Sequence, residues 1–467
     1  MSRAAGDTDT IAAIATAPGR GGIGVVRMSG PAAFAISRAI AGVSPPPRQA
    51  RLVTLRDRDG DALDQALLLH FPNPRSFTGE DIAEFHCHGG PVILAGVLRE
   101  CTSRGARHAE PGEFSQRAFL NGKIDLIQAE AIADLIASHS EAAARSASRS
   151  LSGAFSTHVD SLRDDLIRLR TYIEAAIDFP EEEIDFIAQS DVQERLEALI
   201  HKLRDLLGQA RRGRRLRDGI KLVIAGAPNA GKSSLLNQLA EQESAIVTSI
   251  PGTTRDLLRE HIEIDGVPLH IVDTAGLRVA RDAVEREGIR RATAEFATAD
   301  RILLVVDATE QDRTSGGSLI GDNIRAFTAQ LPPAIPVTLV RNKIDLVGEQ
   351  PGVEEGRGDA DGRIDSCVRL CARTGAGVDL LRRHLLDSAG LGGDVSSEFS
   401  ARERHVTALE ATLASLEAGR DALAVHQAGE LIAEDLRIAQ DRLGSITGRY
   451  TSDDLLGEIF GSFCIGK

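Results

Sequence analysis

The order of apolar and polar residues predicts a chain of four blocks, the first of which mixes strands and a helix. Short apolar segments bounded by turn residues are typical of strands, and helical spacing follows them over 91–98. This block, residues 1–123, is therefore predicted to be a small α+β domain. The expected strands are 10–15, 24–28, 66–71 and 82–86.

Two further blocks, 124–218 and 389–467, carry apolar residues three or four positions apart, as amphipathic helices do. The first of them ends in an arginine-rich segment, Arg211 to Arg217. A helix with one apolar stripe must pack against other helices, so both blocks are predicted to form one discontinuous helical domain. The last residues, 457–467, are too apolar and glycine-rich for a solvated tail, and we expect them to dock on the protein.

The block between them, residues 219–388, alternates strands with helices and is predicted to be an α/β domain inserted in the helical one. Near-continuous apolar runs at 302–306 and 337–340 are typical of buried parallel strands. Asp265-Gly266, between two strand-like segments, predicts a hairpin. Such an insertion is feasible because the termini of an inserted domain usually lie close together.

Candidate chemistry begins with the stretch Gly226-Ala-Pro-Asn-Ala-Gly-Lys-Ser-Ser234, which follows a predicted strand and precedes a predicted helix. This context is that of a phosphate-binding loop, whose backbone N–H groups wrap around phosphate oxygens. Lys232 supplies a charge for the β- and γ-phosphates, and Ser233 supplies a hydroxyl for Mg²⁺. The alternative, an ordinary glycine-rich turn, is disfavoured by the flanking strand and helix.

Three later motifs predict that the nucleotide is GTP. The Asp345 carboxylate, in Asn342-Lys-Ile-Asp345, can accept hydrogen bonds from the N1–H and the amine of guanine, a donor pair that adenine lacks. Asp273-Thr-Ala-Gly276 stands at a predicted strand end, where a carboxylate holds Mg²⁺ through water. Gly252-Thr-Thr254 offers a switch threonine that would complete the Mg²⁺ shell.

The sequence lacks the glutamine that orients the attacking water in many GTPases. Leu277 stands where GTPases of the Ras type carry the glutamine that orients water. A monovalent cation, held by Asn229 and switch-loop carbonyls, is one way to neutralise the transition-state charge. Asp282 and Glu285 are candidate carboxylates for orienting water, and the alternative for each is a solvated charge on a switch helix.

Composition places the chain among ordinary soluble globular proteins, with 42% hydrophobic and 26% charged residues. No apolar run is long enough for a membrane span and residues 1–20 lack a signal-peptide core, so we expect a cytoplasmic protein. Five scattered cysteines argue against a disulfide framework.

The net charge of -14 disfavours broad nonspecific binding of nucleic acid. The segment from Arg211 to Arg217 is either a local basic patch for RNA or a solvated helix end that leads into the next domain. We favour the second interpretation, since most charge runs are solvated surfaces.

Long strings at both ends of the chain resemble the tRNA-modification GTPase family of the MnmE/TrmE type, and this likeness covers nearly the whole length. The strings are Ala17-Pro-Gly-Arg-Gly-Gly22 with Arg27-Met-Ser-Gly30, Phe77-Thr-Gly-Glu-Asp81 with His88-Gly-Gly-Pro91, Pro111-Gly-Glu-Phe-Ser-Gln-Arg-Ala-Phe-Leu-Asn121, Gln128-Ala-Glu-Ala-Ile-Ala-Asp134 and Phe463-Cys-Ile-Gly-Lys467.

The resemblance implies an N-terminal folate-binding-like α+β domain that also serves dimerisation, a discontinuous helical domain and an inserted Ras-like P-loop GTPase domain. It implies a K⁺-activated GTPase that forms a homodimer across its nucleotide sites and works with an FAD- and NADH-using partner of the MnmG/GidA type. The pair would add an aminomethyl or carboxymethylaminomethyl group to carbon 5 of the wobble uridine of certain tRNAs. The one-carbon donor would be 5-formyl-tetrahydrofolate or a related folate.

The same resemblance assigns residues to the nucleotide site. The family's catalytic glutamate falls on Glu285, which favours that residue over Asp282. The K⁺ ligands would be Asn229, Thr248, Ile250 and Thr253, and the Mg²⁺ ligands Ser233 and Thr254. Contacts with GTP are expected from Asn229, Ala230, Gly231, Lys232, Ser233, Ser234, Thr248, Ser249, Ile250, Pro251, Gly252, Thr253, Thr254, Asp273, Thr274, Ala275, Gly276, Asn342, Lys343, Asp345, Cys371, Ala372 and Arg373.

Folate contacts map, by the resemblance, to Arg27, Glu84 and Lys123, with Lys467 closing the pocket. Cys464 matches the family's C-terminal cysteine and is either a nucleophilic, catalytic thiolate or a buried small residue beside that pocket.

Two departures from the family pattern are small. The guanine-supporting string S-A-[KR] reads Cys371-Ala-Arg373 here, which is tolerable because the backbone N–H of Ala372 does the usual work. Cys87, in His86-Cys-His88, stands where a glycine is usual. A metal site there would need more ligands than the sequence offers, so we favour a structural role.

One alternative function stays open at this point: a GTP-timed RNA-assembly factor that performs no chemistry on RNA. Its G domain would look almost the same. The N-terminal folate-type strings and the Cys-Ile-Gly-Lys end distinguish the two, because an assembly factor does not need them.

Overall fold

The computed structural model describes most of the chain, and its contacts divide the chain into two compact units. Unit 1 comprises Met1–Ala133, Ser150–Arg204 and Thr407–Lys467, and unit 2 comprises Asp134–Arg149 and Asp205–Val406. The described residues are 9–138, 140–178, 191–241, 259–273, 296, 299–309, 328, 331–333, 335–355, 363–393, 398–426, 429–449, 453–461, 463 and 466.

Unit 1 opens with a six-stranded sheet in the order β3-β4-β5-β2-β1-β6. Neighbouring strands are antiparallel except β1 and β6, which run parallel. The elements are β1 (Ile11–Ile14), β2 (Gly21–Ser29), α1 (Ala33–Ala41), β3 (Arg51–Arg56), β4 (Ala62–Phe71), β5 (Ile82–Gly89), α2 (Pro91–Ser103), β6 (Arg107–His108) and α3 (Glu113–Leu120).

The four strands predicted in this block are confirmed as β1, β2, β4 and β5, and the predicted helix is α2. Alternation along β2 and β5 turns Val26 and Phe85 into the core against α1 and α2, and it turns Arg27 and Glu84 to the other face of the sheet. The strand β3 and the helices α1 and α3 escaped prediction, because their short apolar segments lack a clear period.

Four long helices follow, α4 (Leu126–Ala137), α5 (Glu141–Leu151), α6 (Ala154–Asp178) and α7 (Asp191–Asp218). Three of them contain the helices predicted from apolar spacing, and α5 is an addition. Most of the alanine, leucine and isoleucine side chains in their apolar stripes are buried, as a helical layer requires, whereas Ile136 of α4 is half exposed.

Unit 2 is built on a seven-stranded sheet in the order β12-β13-β11-β10-β7-β9-β8. The five inner strands are parallel, and antiparallel β12 and β8 form the edges. The elements are β7 (Ile220–Gly226), α8 (Lys232–Glu241), β8 (Arg259–Ile264), β9 (Val267–Asp273), β10 (Arg301–Asp307), β11 (Val337–Asn342), β12 (Gly352–Glu355), β13 (Ile364–Arg369) and α9 (Val378–Ser388).

The predicted hairpin and parallel strands of this sheet are confirmed. Asp265 and Gly266 both have positive φ, 49° and 83°, as a two-residue hairpin turn of the mirror-image type requires. The apolar runs at 302–306 and 337–340 lie within β10 and β11 and are paired in parallel. Fold class is therefore as predicted: α+β, helical and P-loop-type α/β parts in one chain.

After α9 the described residues form three helices, α10 (Glu403–His426), α11 (Gly429–Thr447) and α12 (Asp453–Gly461). The predicted docking of the tail is confirmed for its described residues, since Phe460 and Phe463 are buried in a cluster with Leu126 and Phe119. The fit is close: a Cβ on Gly112 would lie 2.5 Å from the Phe460 carbonyl oxygen. Across the described residues, no helix has both the length and the apolarity to cross a membrane.

The arginine-rich segment, Arg211 to Arg217, differs from the expectation that it is a solvated helix end. It continues α7 to Asp218 and leads into β7, but it is not a solvated helix end, because its guanidinium groups have partners inside unit 2. Arg212 Nε donates to Glu398 at 2.6 Å, and Arg214 pairs with Glu403. The segment therefore fastens α7 to the start of α10, and those ion pairs compete with any use of it as a patch for RNA.

Asp134 is the centre of this fastening. Its Oδ1 atom accepts hydrogen bonds from Arg217 and Arg402, both at 2.7 Å, and its Oδ2 atom accepts one from Ser400 at 2.9 Å. The carboxylate is buried, with 6% of its side chain exposed. One residue of α4 thus holds the end of α7 and the start of α10 together within unit 2.

We predict that Asp134→Asn destabilises unit 2 by about 3 kcal/mol, because it leaves two partly buried guanidinium groups without their carboxylate. For a unit of about 200 residues this corresponds to a fall of roughly 6–12 °C in its calorimetric transition. The matched control is Asp379→Asn, whose pair with Arg383 is about two-thirds exposed, so that its loss should cost below about 1 kcal/mol. Equal shifts in the two variants would contradict the role given to Asp134.

Candidate nucleotide-binding site

The phosphate loop lies between β7 and α8, at the carboxyl edge of the parallel sheet. Gly226 ends β7, Lys232 begins α8, and Asn229 between them has a left-handed backbone, with φ 64°. Ser233 and Ser234 are exposed in the first turn of α8. A helix N-terminus under a loop of this kind is suited to bind phosphate, because its N–H groups and dipole face the anion.

Two glycines in the loop are required by space as well as by conformation. A Cβ on Gly226 would lie 2.1 Å from the Val305 carbonyl oxygen on the neighbouring strand β10. A Cβ on Gly231 would lie 2.1 Å from Asn342 Nδ2. Both glycines also have positive φ, at 147° and 98°. Any other residue at either position would therefore push the loop off the sheet edge.

Lys232 is buried, and its ammonium group donates to the carbonyl oxygens of Gly226 at 2.9 Å and Ala227 at 3.0 Å. These two bonds aim the side chain back along the loop that follows β7. Since an ammonium group has three donors, one remains beyond these two bonds for an anion in the loop. Lys232 is thus placed for the phosphate contact that the sequence predicts.

Asn342 joins the phosphate loop to the loops that carry the base-reading residues. Its Nδ2 donates to the Ala230 carbonyl oxygen at 2.8 Å, and its Oδ1 accepts from the backbone N–H groups of Lys343 at 2.8 Å and Ala372 at 2.9 Å. The side chain is buried, and between them its amide nitrogen and oxygen bond backbone groups of three different loops. This amide therefore fixes the spacing between the loop that follows β7 and the two loops in which the base-reading residues are predicted.

Asp345, the predicted guanine reader, lies at the exposed end of this arrangement. Arg373 donates to its Oδ2 atom at 2.8 Å. A hydrogen bond from the Cys371 thiol, followed by the charge and hydrogen bond of Arg373, lowers the pKa of the Asp345 carboxyl. The acceptor that guanine needs is therefore ionised near neutral pH. Arg373, of the predicted string Cys371-Ala-Arg373, thus lies beside this carboxylate.

Lys343 pairs with a residue that the sequence analysis missed. Its Nζ donates to Asp307 Oδ2 at 2.6 Å, and Asp307 ends β10 directly beside Asn342 in the sheet register. Burial alone would raise the pKa of Asp307, but the bonds from Lys343 and Thr309 outweigh it and lower that pKa. The signal was available, since Asp307 ends an apolar run just as Asp273 does.

Asp273 closes β9, where its backbone pairs with Ile224 of β7. The strand thus brings the start of the Asp273-Thr-Ala-Gly276 motif next to the phosphate loop.

Several predicted contacts lie outside the described residues, together with the alternatives Leu277 and Asp282 and the folate residue Lys467. The predicted site residues in question are Thr248, Ser249, Ile250, Pro251, Gly252, Thr253, Thr254, Thr274, Ala275, Gly276, Glu285 and Cys464.

A second candidate site lies on the N-terminal sheet. Arg27 Nε donates to Glu84 Oε1 at 2.8 Å across β2 and β5, and His86 Nε2 lies 3.1 Å from Glu84 Oε2. The Arg27 guanidinium also faces the rings of Phe77 and Phe114, at 5.9 and 5.8 Å from their centroids. The partly exposed carboxylate of Glu84 and guanidinium of Arg27, above a buried and a partly buried aromatic ring, could pair with a ligand that has amide-like edges.

The remaining folate candidates lie at the margins of this surface. Lys123 is exposed and donates to the Pro74 carbonyl oxygen at 3.0 Å. Gly466, next to the predicted closing residue, approaches the end of β1, where a Cβ would lie 2.4 Å from the Ile14 carbonyl oxygen. Because Ala13 of β1 pairs with Arg27 of β2, the C-terminal tail reaches the strand beside Arg27.

The Cys87 thiol is on the opposite side of the strand β5 from Glu84 and His86. It is buried in the sheet core, where burial, with a smaller effect of Asp64, raises its pKa to about 12. His88 instead pairs with Asp64 at 2.7 Å. In the part of the chain that the structure describes, no three histidine, cysteine, aspartate or glutamate side chains are grouped as a metal site.

Several residues of the string Pro111 to Asn121 form an ion network rather than a ligand site. Arg117 bonds Asp9 at 2.6 Å and Glu113 at 2.9 Å, and Arg107 bonds Glu113 at 2.6 Å. Burial alone would raise the pKa of Glu113, yet these bonds lower it. Sequence reasoning missed this network because its members lie up to 108 positions apart.

Comparison with known proteins gives matches to two family models, which together extend over most of the chain. A family model described as the MnmE helical domain matches residues 126–464, and one described as the GTP-binding protein TrmE N-terminus matches residues 10–123. The G domain of the FeoB iron transporter of T. maritima is 21% identical over 36% of this chain and 98% of that chain, with a TM-score of 0.27, which is too low to support an inference.

Curated relatives extend over nearly the whole chain. The tRNA modification GTPase MnmE of Marinobacter nauticus is 56% identical over 460 residues, which are 98% of this chain and 99% of the relative. The proteins of the same name from Erwinia tasmaniensis and Stutzerimonas stutzeri are each 55% identical, over the same shares of the two chains. With more than half of its residues identical over this length, and with both family models matched, this chain belongs to the MnmE/TrmE family of tRNA modification GTPases.

Proposed function

We propose that this chain is a GTP-hydrolysing, K⁺-activated enzyme that acts in the modification of tRNA in the cytoplasm. Together with an FAD- and NADH-dependent partner of the MnmG/GidA type, it adds an aminomethyl or carboxymethylaminomethyl group to carbon 5 of the wobble uridine of certain tRNAs. Family membership supports the coarser statement, a GTPase of tRNA modification. The single observation that carries the GTPase part is the Asn342 amide, which couples the phosphate loop to the base-reading loops.

The geometry supports recognition of GTP in two places. Lys232 and the N–H groups of the loop meet the β- and γ-phosphates, and the ionised Asp345 carboxylate accepts the two guanine donors. Arg373 now occupies one oxygen of that carboxylate, so it shares Asp345 with the base or swings aside when the base arrives. The Ser233 hydroxyl, exposed at the start of α8, is a Mg²⁺ ligand together with Thr254.

Hydrolysis requires charge neutralisation and an oriented water. Asn229 is an exposed residue of the phosphate loop, and its side-chain amide oxygen is a ligand of the kind that a monovalent cation accepts. A K⁺ ion held there, with Thr248, Ile250 and Thr253, would supply positive charge where an arginine finger acts in other GTPases. Glu285 orients the attacking water in place of the glutamine that Leu277 replaces.

The N-terminal surface serves as the folate subsite in this proposal. The Glu84 carboxylate accepts hydrogen bonds from the amide-like edge of a pterin, and Arg27 holds that carboxylate in place. Lys123 and Lys467 contribute cations for the carboxylates of the folate tail. A bound 5-formyl-tetrahydrofolate, or a related folate, would supply the one-carbon unit.

Dimerisation and the role of Cys464 belong to the same proposal. The chain acts as a homodimer whose G domains meet across their nucleotides, with 1–123, 124–218, 219–388 and 389–467 as domain boundaries. Cys464 is either a nucleophilic thiolate at the folate subsite or a small packing residue. The burial of Phe463 next to it is compatible with both roles.

The modification itself gives the first test. Cells that lack this protein should lose the C5 aminomethyl-type wobble nucleosides, as measured by mass spectrometry of digested tRNA. The wild-type gene should restore them, whereas Glu285→Ala should not, although the purified variant binds GTP within about threefold of wild type, as expected for a group that acts in the transition state. Asp282→Ala is the matched control and should restore them. Unchanged nucleosides in the deletion would refute the proposed function.

The cation role gives the second test. Steady-state GTPase turnover should be at least ~10-fold faster in K⁺ than in Na⁺ at equal ionic strength, because the cation stabilises transition-state charge. Asn229→Gly keeps a residue that tolerates φ 64° and deletes the side-chain oxygen. It should lose the K⁺ stimulation and keep its affinity for GTP within about threefold. Equal wild-type rates in the two salts would exclude this role.

The folate subsite gives the third test, by calorimetric titration with 5-formyl-tetrahydrofolate. Glu84→Gln should weaken binding by about 10-fold or more, since an amide cannot accept both donors of the pterin edge. Glu100→Gln is the matched control: Glu100 also pairs with an arginine, Arg104, but on α2, which covers the other face of the sheet. No heat of binding by the wild type at millimolar ligand would favour the RNA-assembly factor instead.

A further inference from the structure

The carboxylate of Asp307 has no part in the functions described so far, although it touches the base-reading loop. It ends β10, and the register of the sheet places it directly opposite Asn342 at the end of β11. Its side chain is largely buried, with 12% exposed, while that of Lys343 is 32% exposed. A buried carboxylate at a ligand-binding edge calls for an explanation, because burying a charge is costly unless it is paired.

The carboxylate of Asp307 is held firmly by its own strand end. Its Oδ1 atom accepts from the backbone N–H of Thr309 at 2.9 Å and from the Thr309 hydroxyl at 2.7 Å. Its Oδ2 atom is thereby directed towards Lys343 and accepts from Nζ at 2.6 Å. The two bonds from Thr309 thus fix the orientation of the Asp307 carboxylate independently of Lys343.

Lys343 is fixed at both of its ends. Its backbone has φ 62°, an uncommon conformation for a residue with a side chain, and its N–H donates to Asn342 Oδ1. Its ammonium group is tied to Asp307. The four-carbon stem is therefore held between the end of β11, where the loop that carries Asp345 begins, and the end of β10. A lysine stem otherwise has large rotamer freedom, which binding of a ligand would have to remove.

We propose that Asp307 is a positioning residue of the guanine subsite, which holds the stem of Lys343 as a preformed apolar platform for the base. This inference rests on the proposed GTP site and adds a residue to it. In this arrangement the stem of Lys343 contacts the base, the Asp345 carboxylate accepts its hydrogen bonds, and Asp307 restricts the rotamers of Lys343. Preorganisation of this kind raises affinity by lowering the entropic cost of binding.

The test measures binding of fluorescent GDP and GTP analogues to the full chain. Asp307→Asn keeps an oxygen for the Thr309 donors and removes the charge that holds Lys343. It should weaken both nucleotides by about 10-fold, while kcat at saturating GTP stays within about twofold. The matched control is Asp365→Asn on β13, because Asp365 pairs at 2.7 Å with Arg301, which lies at the opposite end of β10 from Asp307. It should bind nucleotide like the wild type.

A double-mutant cycle separates positioning from a general structural role. In a Lys343→Met background the stem is kept but has no charge to hold, so Asp307→Asn should cause no further loss of affinity there. An equal loss in both backgrounds, or equal losses for Asp307→Asn and Asp365→Asn, would overturn the proposal. If Asp307→Asn does not fold, Asp307→Glu decides, because its displaced carboxylate should still weaken binding about threefold, and wild-type affinity would overturn the proposal. A wild-type chain that binds no guanine nucleotide would instead refute the proposed function.

Discussion

The candidate nucleotide site depends on the register of three parallel strands. Gly226 of β7 is paired with Val305 of β10, and Asp307 of β10 is paired with Asn342 of β11. Parallel strands end at a common edge, so this register alone brings a phosphate loop and a base-reading loop together. A slip of one residue would turn each side chain to the other face of the sheet. Both faces are buried under apolar side chains, and such a slip would disrupt their close packing.

A second constraint acts where the chain enters and leaves unit 2. Asp134 lies where the chain enters it, and Arg402 lies a few residues before the chain leaves it. Their ion pair joins the first segment of unit 2 (Asp134–Arg149) to the end of its second segment (Asp205–Val406), and Arg217, near the start of that second segment, is a third member. The two ends of the second segment are thus held close together, as an inserted domain requires. The Asp134 carboxylate that joins them also ends one of the strings by which the family is recognised.

How far the sequence predicts this structure depends on the distance between interacting residues. Apolar spacing predicted β10, β11 and the long helices because period is a local signal. Local sequence does not predict the ion pairs of Arg212 and Arg217, because their acidic partners lie far away in sequence, and it therefore indicates a solvated helix end instead. The same reason hid Asp307, whereas Asn342 and Asp345 stood out because their motif is contiguous.

The residues of the strings shared with the family need not be catalytic or ligand-binding, as several of them in the N-terminal domain illustrate. Arg117, Glu113 and Asp9 bond one another, and Gly112 makes room for the backbone at Phe460. These residues hold the sheet and the C-terminal tail in place, so they are recognisable for structural reasons. Arg27 and Glu84 differ from them: they lie on the face of the sheet opposite the main core, and each retains some solvent exposure. Of the N-terminal residues in these contacts, that pair is therefore the better placed to meet a ligand, while the strings around it supply the support.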